Sequence, residues 1–148
     1  MNTNIHIRKA TLTDTPILHN LTDQLGYSVS EKQITLRMET ILASREHQVL
    51  VAVNHEEAPV GWIHGYVRTL LVVDKHIDIG GLVVAIEHRS QGIGEQLLKA
   101  IETWAQGEGV SAVRIASNVS RAQAHDFYLR HGYTHVKDSK VFHKLLSV

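Results

Sequence analysis

The sequence predicts an α/β domain on a mixed sheet, and three observations predict it. Runs of β-branched residues alternate with segments whose apolar residues recur at helical spacing. A glycine turn joins a buried strand to an amphipathic helix between His76 and Gln106. The strand after that helix must return parallel to the strand before it, through a right-handed crossover. The order along the chain is β-α-α-β-β-β-α-β-α-β-β. At 148 residues, with 43% apolar and 20% charged content, the composition is globular and the expectation is a single domain over residues 1–148.

The elements follow in order. Asn4 to Lys9 alternates, with Ile5 and Ile7 on one face, and predicts a first strand. Thr13-Asp14-Thr15-Pro16 combines a capping hydroxyl, an acid and a first-turn proline, so a helix starts there; it turns Ile17, Leu18, Leu21 and Leu25 inward and stops at Gly26. Ser30-Glu31-Lys32-Gln33 is a capping box for a second helix with Ile34, Met38, Ile41 and Leu42 as its apolar face. Gln48 to Val53 reads as a strand, His55 to Pro59 as a turn, and Val60 to Val73 as the long second member of a hairpin that turns at Asp74-Lys75. Ile77 to Ile86, with Gly80 and Gly81, suits a buried strand with close backbone approach. Gly92-Ile93-Gly94 then opens a helix that lays Ile93, Leu97, Leu98, Ile101, Trp104 and Ala105 on one face and ends near Gly107 and Gly109. Ala112 to Ser117 is the parallel strand. Ser120-Arg121-Ala122-Gln123 is a further capping box, for a helix from Arg121 to about His131 stopped by Gly132. Tyr133 to Val136 and Val141 to Leu146 read as a closing hairpin around Asp138-Ser139.

The strand, glycine turn and helix make an anion site. The first N–H groups of a helix have no partner within it, and the aligned peptide dipoles place partial positive charge there. Gly92 and Gly94 let a phosphate approach the main chain, and Arg89 adds a formal charge, so a pyrophosphate fits. A dinucleotide fingerprint would need a third glycine where Leu97 stands, and a P-loop would need a Gly-Lys-Ser/Thr tripeptide that the chain lacks. The plain alternative is a helix capped by Ser90 whose glycines serve only the turn.

Composition excludes several classes. Lys plus Arg and Asp plus Glu number 15 each, so no global field recruits nucleic acid or an anionic membrane, and a phosphate site must be local. The absence of cysteine removes disulfides, thiolate metal sites and a cysteine nucleophile. The 11 histidines contain no HExxH pattern or comparable pair, and no metal is expected. No apolar run reaches membrane-spanning length and the first residues carry no hydrophobic signal core, which leads to the expectation of a soluble, cytoplasmic protein.

The element order, the Arg89-Ser90-Gln91-Gly92-Ile93-Gly94 turn and the series Asn118, Arg121, Ala124, Phe127-Tyr128, Gly132-Tyr133 together resemble the GNAT superfamily of acyl-CoA-dependent N-acetyltransferases over nearly the whole chain. The resemblance implies that acetyl-CoA is the cosubstrate and that its pyrophosphate sits on the backbone of Arg89, Ser90, Gln91, Gly92, Ile93 and Gly94, with Glu95 next in the same turn. It implies that the parallel strands splay beyond Leu82-Val83-Val84, so that this backbone hydrogen-bonds the pantetheine arm, with a bulge at Gly80 and Gly81. Asn118 matches a position that commonly holds the pantetheine or nearby groups, and Arg121 and Ala124 belong to the same binding series. From the residues alone, Asn118 equally suits an Asx turn before Ser120.

Tyr128 matches the family's usual general acid. Amine attack on a thioester expels a thiolate whose conjugate acid has a pKa of about 8.5, and a tyrosine near 10 can protonate it while staying neutral at pH 7. An edge-of-core aromatic is the plain reading of the same residue. The amine needs a base, since at a pKa of about 10.4 only roughly one molecule in a few thousand is neutral at pH 7. Family members often carry a Glu two residues before the Leu82 position, where this chain has Gly80; His64, His76, Asp78, His125 and a water chain stand as candidates. The acceptor pocket is expected among Asp23, Tyr27, Glu31, Trp62, His64 and Arg68, a mixture that selects no acceptor.

The expected activity is acetyl transfer from acetyl-CoA to a primary amine of a small molecule or a protein, with room for a homodimer and with no nucleic-acid or membrane partner. A CoA-responsive binding or regulatory module without catalysis is the alternative that Gly80 favours and Tyr128 opposes. A scaffold with no acyl-CoA site is the third.

Overall fold

The computed structural model describes residues 4–147. The chain divides into two compact units, one ending at Ala116 and the other beginning at Ser117. The first unit contains β1 (His6–Lys9), α1 (Thr15–Gln24), α2 (Glu31–Leu42), β2 (His47–Val53), β3 (Pro59–Arg68), β4 (His76–Val84), α3 (Ile93–Gly107) and β5 (Val113–Ile115); the second contains α4 (Ala122–Arg130). The five strands form one sheet in sequence order, antiparallel from β1 to β4 and parallel between β4 and β5. The mixed α/β class read from the sequence is the one observed.

The two faces of the sheet are covered by different helices. Leu50, Ala52, Ile63, Ile77 and Ile79 pack with Ile93, Leu97, Ile101 and Ala105 of α3. Val49, Val51 and Val53 pack with Leu18 of α1 and Met38 of α2, with Trp62 alongside. The pleat dictates this division, since alternate residues of β2 face opposite sides. In α3 every predicted apolar position is buried except Trp104, which is partly so. Ile17 and Leu42 were expected inward but lie exposed, because each stands at the edge of its helix's apolar stripe while Leu18, Leu21 and Met38 hold its centre.

The helix starts follow local chemistry. Ser30 and Gln33 form the predicted reciprocal capping box, at 3.1 and 3.0 Å. Before α1 a short 3-10 turn intervenes at Leu12–Asp14, and Asp14, not Thr13, does the work: its carboxylate accepts from the Thr11 amide at 2.8 Å and from both terminal nitrogens of Arg8 at 2.8 Å. The hydrogen bond from Arg8 outweighs burial and holds the Asp14 carboxyl below its ordinary range. A depressed carboxyl stabilises the fold above its unfolded pKa and loses that contribution as pH falls through the folded value. Asp14→Asn is therefore expected to cost about 1–3 kcal/mol at pH 7, with the gap to the parent closing as denaturation curves are taken to pH values well below 4. An undiminished gap in acid would show that the loss is one of shape, not charge.

Three readings differ most from the structure. β3 ends at Arg68 instead of reaching Val73, because its partner β4 begins at His76, and residues 69–75 form the connection, with Leu71 and Val72 exposed. The Ser120 capping box does not form: Arg121 is the residue before α4, and no side chain caps it. The closing hairpin is not formed by the described residues of 133–147. Its alternation is real, yet Val141 and Phe142 are 92% and 88% exposed. A two-stranded hairpin with no third strand or helix to cover one face is marginal.

Candidate active site

β4 carries a bulge. His64 of β3 is opposite Gly81 and Gly65 is opposite Ile79, which leaves Gly80 without a partner in the ladder. The two glycines are required by close approach. A Cβ at Gly80 would lie 2.7 Å from His64 Nδ1, and one at Gly81 would lie 2.5 Å from the Trp62 ring. Both rings thus lie against the glycine backbone, and the predicted bulge is present.

The parallel ladder between β4 and β5 stops at the pair Ile79–Ile115. From Gly80 to Val84 the β4 backbone is paired only with β3 among the described residues, so its other edge offers N–H and C=O groups to a ligand. The divergence starts at Gly80, earlier than the Leu82 to Val84 stretch suggested. Leu82 and Val84 face the α3 core, whereas Val83 packs with Leu21 and Ala85 on the opposite side.

Beyond β4 the chain makes a short 3-10 turn at Ile86–His88, then bends sharply, with Ser90 at φ +65° and Gly92 at φ +80°. Gly92 precedes α3 and no side chain caps the helix, so the capping role considered for Ser90 is not realised. A Cβ at Gly92 would meet nothing within 4 Å; its φ is the reason for glycine there. Arg89 is exposed, and its Nε donates to the Val84 carbonyl at 3.1 Å, which ties its guanidinium to the end of β4 and leaves the terminal nitrogens for another acceptor. Gln91 and Glu95 flank the turn partly exposed, and Glu95 pairs with Lys99 at 3.0 Å. Ile93 is buried under the turn while Gly94 remains partly exposed at the second helical position.

One sheet face beside Gly80 is polar. His47 Nδ1 and His64 Nε2 lie 2.9 Å apart; the His47 ring stacks on His64 at 5.1 Å and on Tyr66 at 5.5 Å, and Tyr66 meets His64 at 5.6 Å with the rings tilted. Burial, with a smaller contribution from the neighbouring His47, pushes the His64 imidazole down to about 4. Farther along, Arg68 donates to Asp78 at 2.7 Å. His76 is 2% exposed, donates from Nδ1 to the Asp74 carbonyl at 2.9 Å, and has Nε2 3.3 Å from Asp78 without hydrogen-bond geometry. Of the base candidates in this unit, Asp78 is engaged by Arg68 and His76 is sealed. Trp62 Nε1 is buried with no partner among the described residues. Asp23, Tyr27 and Glu31 are exposed.

In the second unit, Asn118 forms the Asx turn that its sequence allows: its side-chain oxygen accepts from the Ser120 amide at 2.9 Å and from the Ser120 hydroxyl at 2.8 Å. Its carbonyl accepts from His125 Nε2 at 2.9 Å. Arg121 is exposed and Ala124 partly so. Tyr128 is partly buried, in edge contact with Phe127 and 6.0 Å from the Tyr133 ring. Burial raises its phenol above the ordinary value, against a smaller opposing pull from Arg121.

Two participants escaped the sequence reading. His47 was left outside a strand begun at Gln48, although one more residue of alternation places it on the face of Val49 and Val51. Gln24, whose Oε1 accepts from the Ile86 amide at 2.9 Å, joins the end of α1 to the end of β4 and had no sequence signal. An open depression of about 930 Å³, lined among others by Lys9, Arg45, His47 and Trp104, contains none of the glycine-turn residues.

No helix among the described residues is long and apolar enough to cross a membrane, and no group of three or more metal-ligating side chains is gathered there. A strand edge unpaired among the described residues, leading into a helix start that no side chain caps, suits an extended ligand ending in phosphates. A sequence profile of the acetyltransferase (GNAT) family matches residues 15–133, and the chain belongs to that family, whose acyl donor is acetyl-CoA. Over 56 residues it is 43% identical to the aminoalkylphosphonate N-acetyltransferase of Salmonella typhimurium strain LT2, a stretch that is 38% of this chain and 36% of that enzyme. The chain therefore matches about a third of that relative's length. Among solved structures, the apo aminoglycoside 6'-N-acetyltransferase AAC(6')-Ig of Acinetobacter haemolyticus superimposes with a TM-score of 0.85 at 18% identity, covering 96% of this chain and 99% of that one. Aminoglycoside N-acetyltransferase AAC(6')-Iy, in complex with CoA, gives 0.86 at 16% identity, with 95% and 94% covered. At these identities the likeness is one of fold.

Proposed function

We propose that the protein is a single-domain N-acetyltransferase that moves the acetyl group of acetyl-CoA directly to a primary amine, with Tyr128 protonating the departing thiolate. The observation that carries this is the free β4 edge from Gly80 to Val84 running into the Arg89 to Gly94 turn. Edge amides and carbonyls suit a pantetheine arm, and the start of α3 with the Arg89 guanidinium suits a pyrophosphate. Asn118, Arg121 and Ala124 are assigned to donor binding on the family resemblance. The phenol, raised by burial, is protonated at neutral pH and can act as an acid. Aminoalkylphosphonates and aminoglycosides, named by the relatives, are the first acceptors to test.

Release of free thiol on mixing the protein with acetyl-CoA and these amines is the deciding measurement; CoA binding without thiol release from any amine would leave only a binding module. Arg89→Ala is expected to weaken CoA by about 1–3 kcal/mol, read by calorimetric titration. Dephospho-CoA should lose the same amount, since its pyrophosphate remains. A loss confined to intact CoA would move Arg89 to the 3'-phosphate.

A further inference from the structure

We propose that His64 is the general base of the transfer, taking the acceptor's proton at Nδ1 while its Nε2 proton passes to His47, in the space that a side chain at position 80 would otherwise fill. This rests on the acetyltransferase reading. The contact at Gly80 places the base: the Nδ1 edge of the imidazole lies where a Cβ of residue 80 would project. That nitrogen has no hydrogen-bond partner among the described residues, and it is not sealed from solvent as Trp62 Nε1 is. It lies beside the bulge at which β4 leaves β5, hence at the start of the free edge.

The hydrogen bond to His47 completes the device. A neutral imidazole carries one N–H, and if it is on Nε2 it donates to His47 Nδ1 across 2.9 Å and leaves the Nδ1 lone pair outward. A proton gained by a half-buried ring is costly to keep there, and the depressed basicity of His64 reflects that cost. His47 lines the open depression on its own side, so the charge leaves by way of the second ring to water. Tyr66 stacks on His47 and makes a tilted contact with His64, so it packs against both rings. The Arg68–Asp78 pair and buried His76 lie farther along the same face and are already engaged.

The balance is complete with the known reactants. The ammonium gives one proton to His64 Nδ1 as its nitrogen bonds to the thioester carbon; the His64 Nε2 proton goes to His47 and then to solvent, and exchange with water returns both rings to their starting tautomers before the next turnover. Collapse of the tetrahedral intermediate breaks the C–S bond, and the second nitrogen proton balances the one that the thiolate receives. The products are amide, thiol and one released proton.

Two measurements test this. The first compares wild type with His64→Gln, using the best wild-type alkylamine among the aminoalkylphosphonates and aminoglycosides, and methoxyamine, which is already neutral at pH 7. The alkylamine kcat/KM should fall roughly 10²–10⁴-fold, with a much smaller fall for methoxyamine and CoA affinity unchanged. Equal losses with both acceptors, or none with either, would overturn the assignment. The second is nitrogen-15 NMR of the wild-type imidazoles, expected to show protonated Nε2 and bare Nδ1 in His64; the opposite tautomer overturns it whether or not the variant folds. A wild type that releases no thiol with any amine would instead refute the acetyltransferase reading, an outcome distinct from both.

Discussion

Tyr128→Phe is expected to lower kcat by roughly 10²–10⁴-fold while acetyl-CoA affinity stays nearly constant, because the ring remains and only the proton donor is lost. The defect should depend on the leaving group. A thioester of a more acidic thiol needs less protonation, so it should restore much of the variant's rate. The sign of the pH effect follows from the direction of the shift. Burial holds the phenol protonated above its ordinary pKa of about 10, so the wild-type alkaline limb should fall above that pH and be absent from the variant. Rate profiles with two thioesters at matched amine saturation make the test. Equal slowing with both donors, with the alkaline limb kept, would make Tyr128 a positioning residue.

Leu97→Ala should be the most destabilising of the substitutions considered, at about 2–5 kcal/mol, measured by chemical denaturation. Leu97 is fully buried in the cluster that joins α3 to the sheet. Its Cδ1 would be 3.2 Å from a Cβ at Gly61, so the helix packs directly on the β3 backbone there. Few neighbours are free to collapse into the void, which favours the upper part of that range. The same change loosens the helix whose first turn is the proposed anion site, so CoA affinity should fall along with stability. A loss below about 1 kcal/mol would mean that the cluster repacks.

The sheet, the helices and the glycine turn were legible because each rests on a local rule. The periodicity of Ile93, Leu97 and Ile101 dictates a helix on a core, and Ser30 with Gln33 caps its helix with its own atoms. Gly80 and Gly81 signalled close approach. What the sequence could not say was what approaches them: the pairing of His64 with Gly81, and of His47 with Tyr66, depends on strand register across 17 residues or more. The closing hairpin was overread because alternation marks residues able to pair, whereas a strand needs a partner whose backbone is in reach. Ser120 failed as a cap because Asn118, two residues earlier, accepts both its amide and its hydroxyl first.

The bulge at Gly80 also sets a parity. His76, Asp78, Gly81 and Val83 lie opposite the even-numbered residues of β3, and Ile77, Ile79, Leu82 and Val84 opposite the odd-numbered ones, so the α3-facing positions of β4 change from odd to even numbers across Gly80. Deletion of Gly80 would leave a strand that alternates without interruption, with Ile77, Ile79, Leu82 and Val84 still facing α3. Gly80 is exposed and carries no side chain; what it adds is the extra backbone of the bulge beside His64, and not the facing of the residues on either side. A chain shorter by Gly80 would thus keep its core and lose the bulge, so the residue is held by the local shape of the strand and not by the packing of α3.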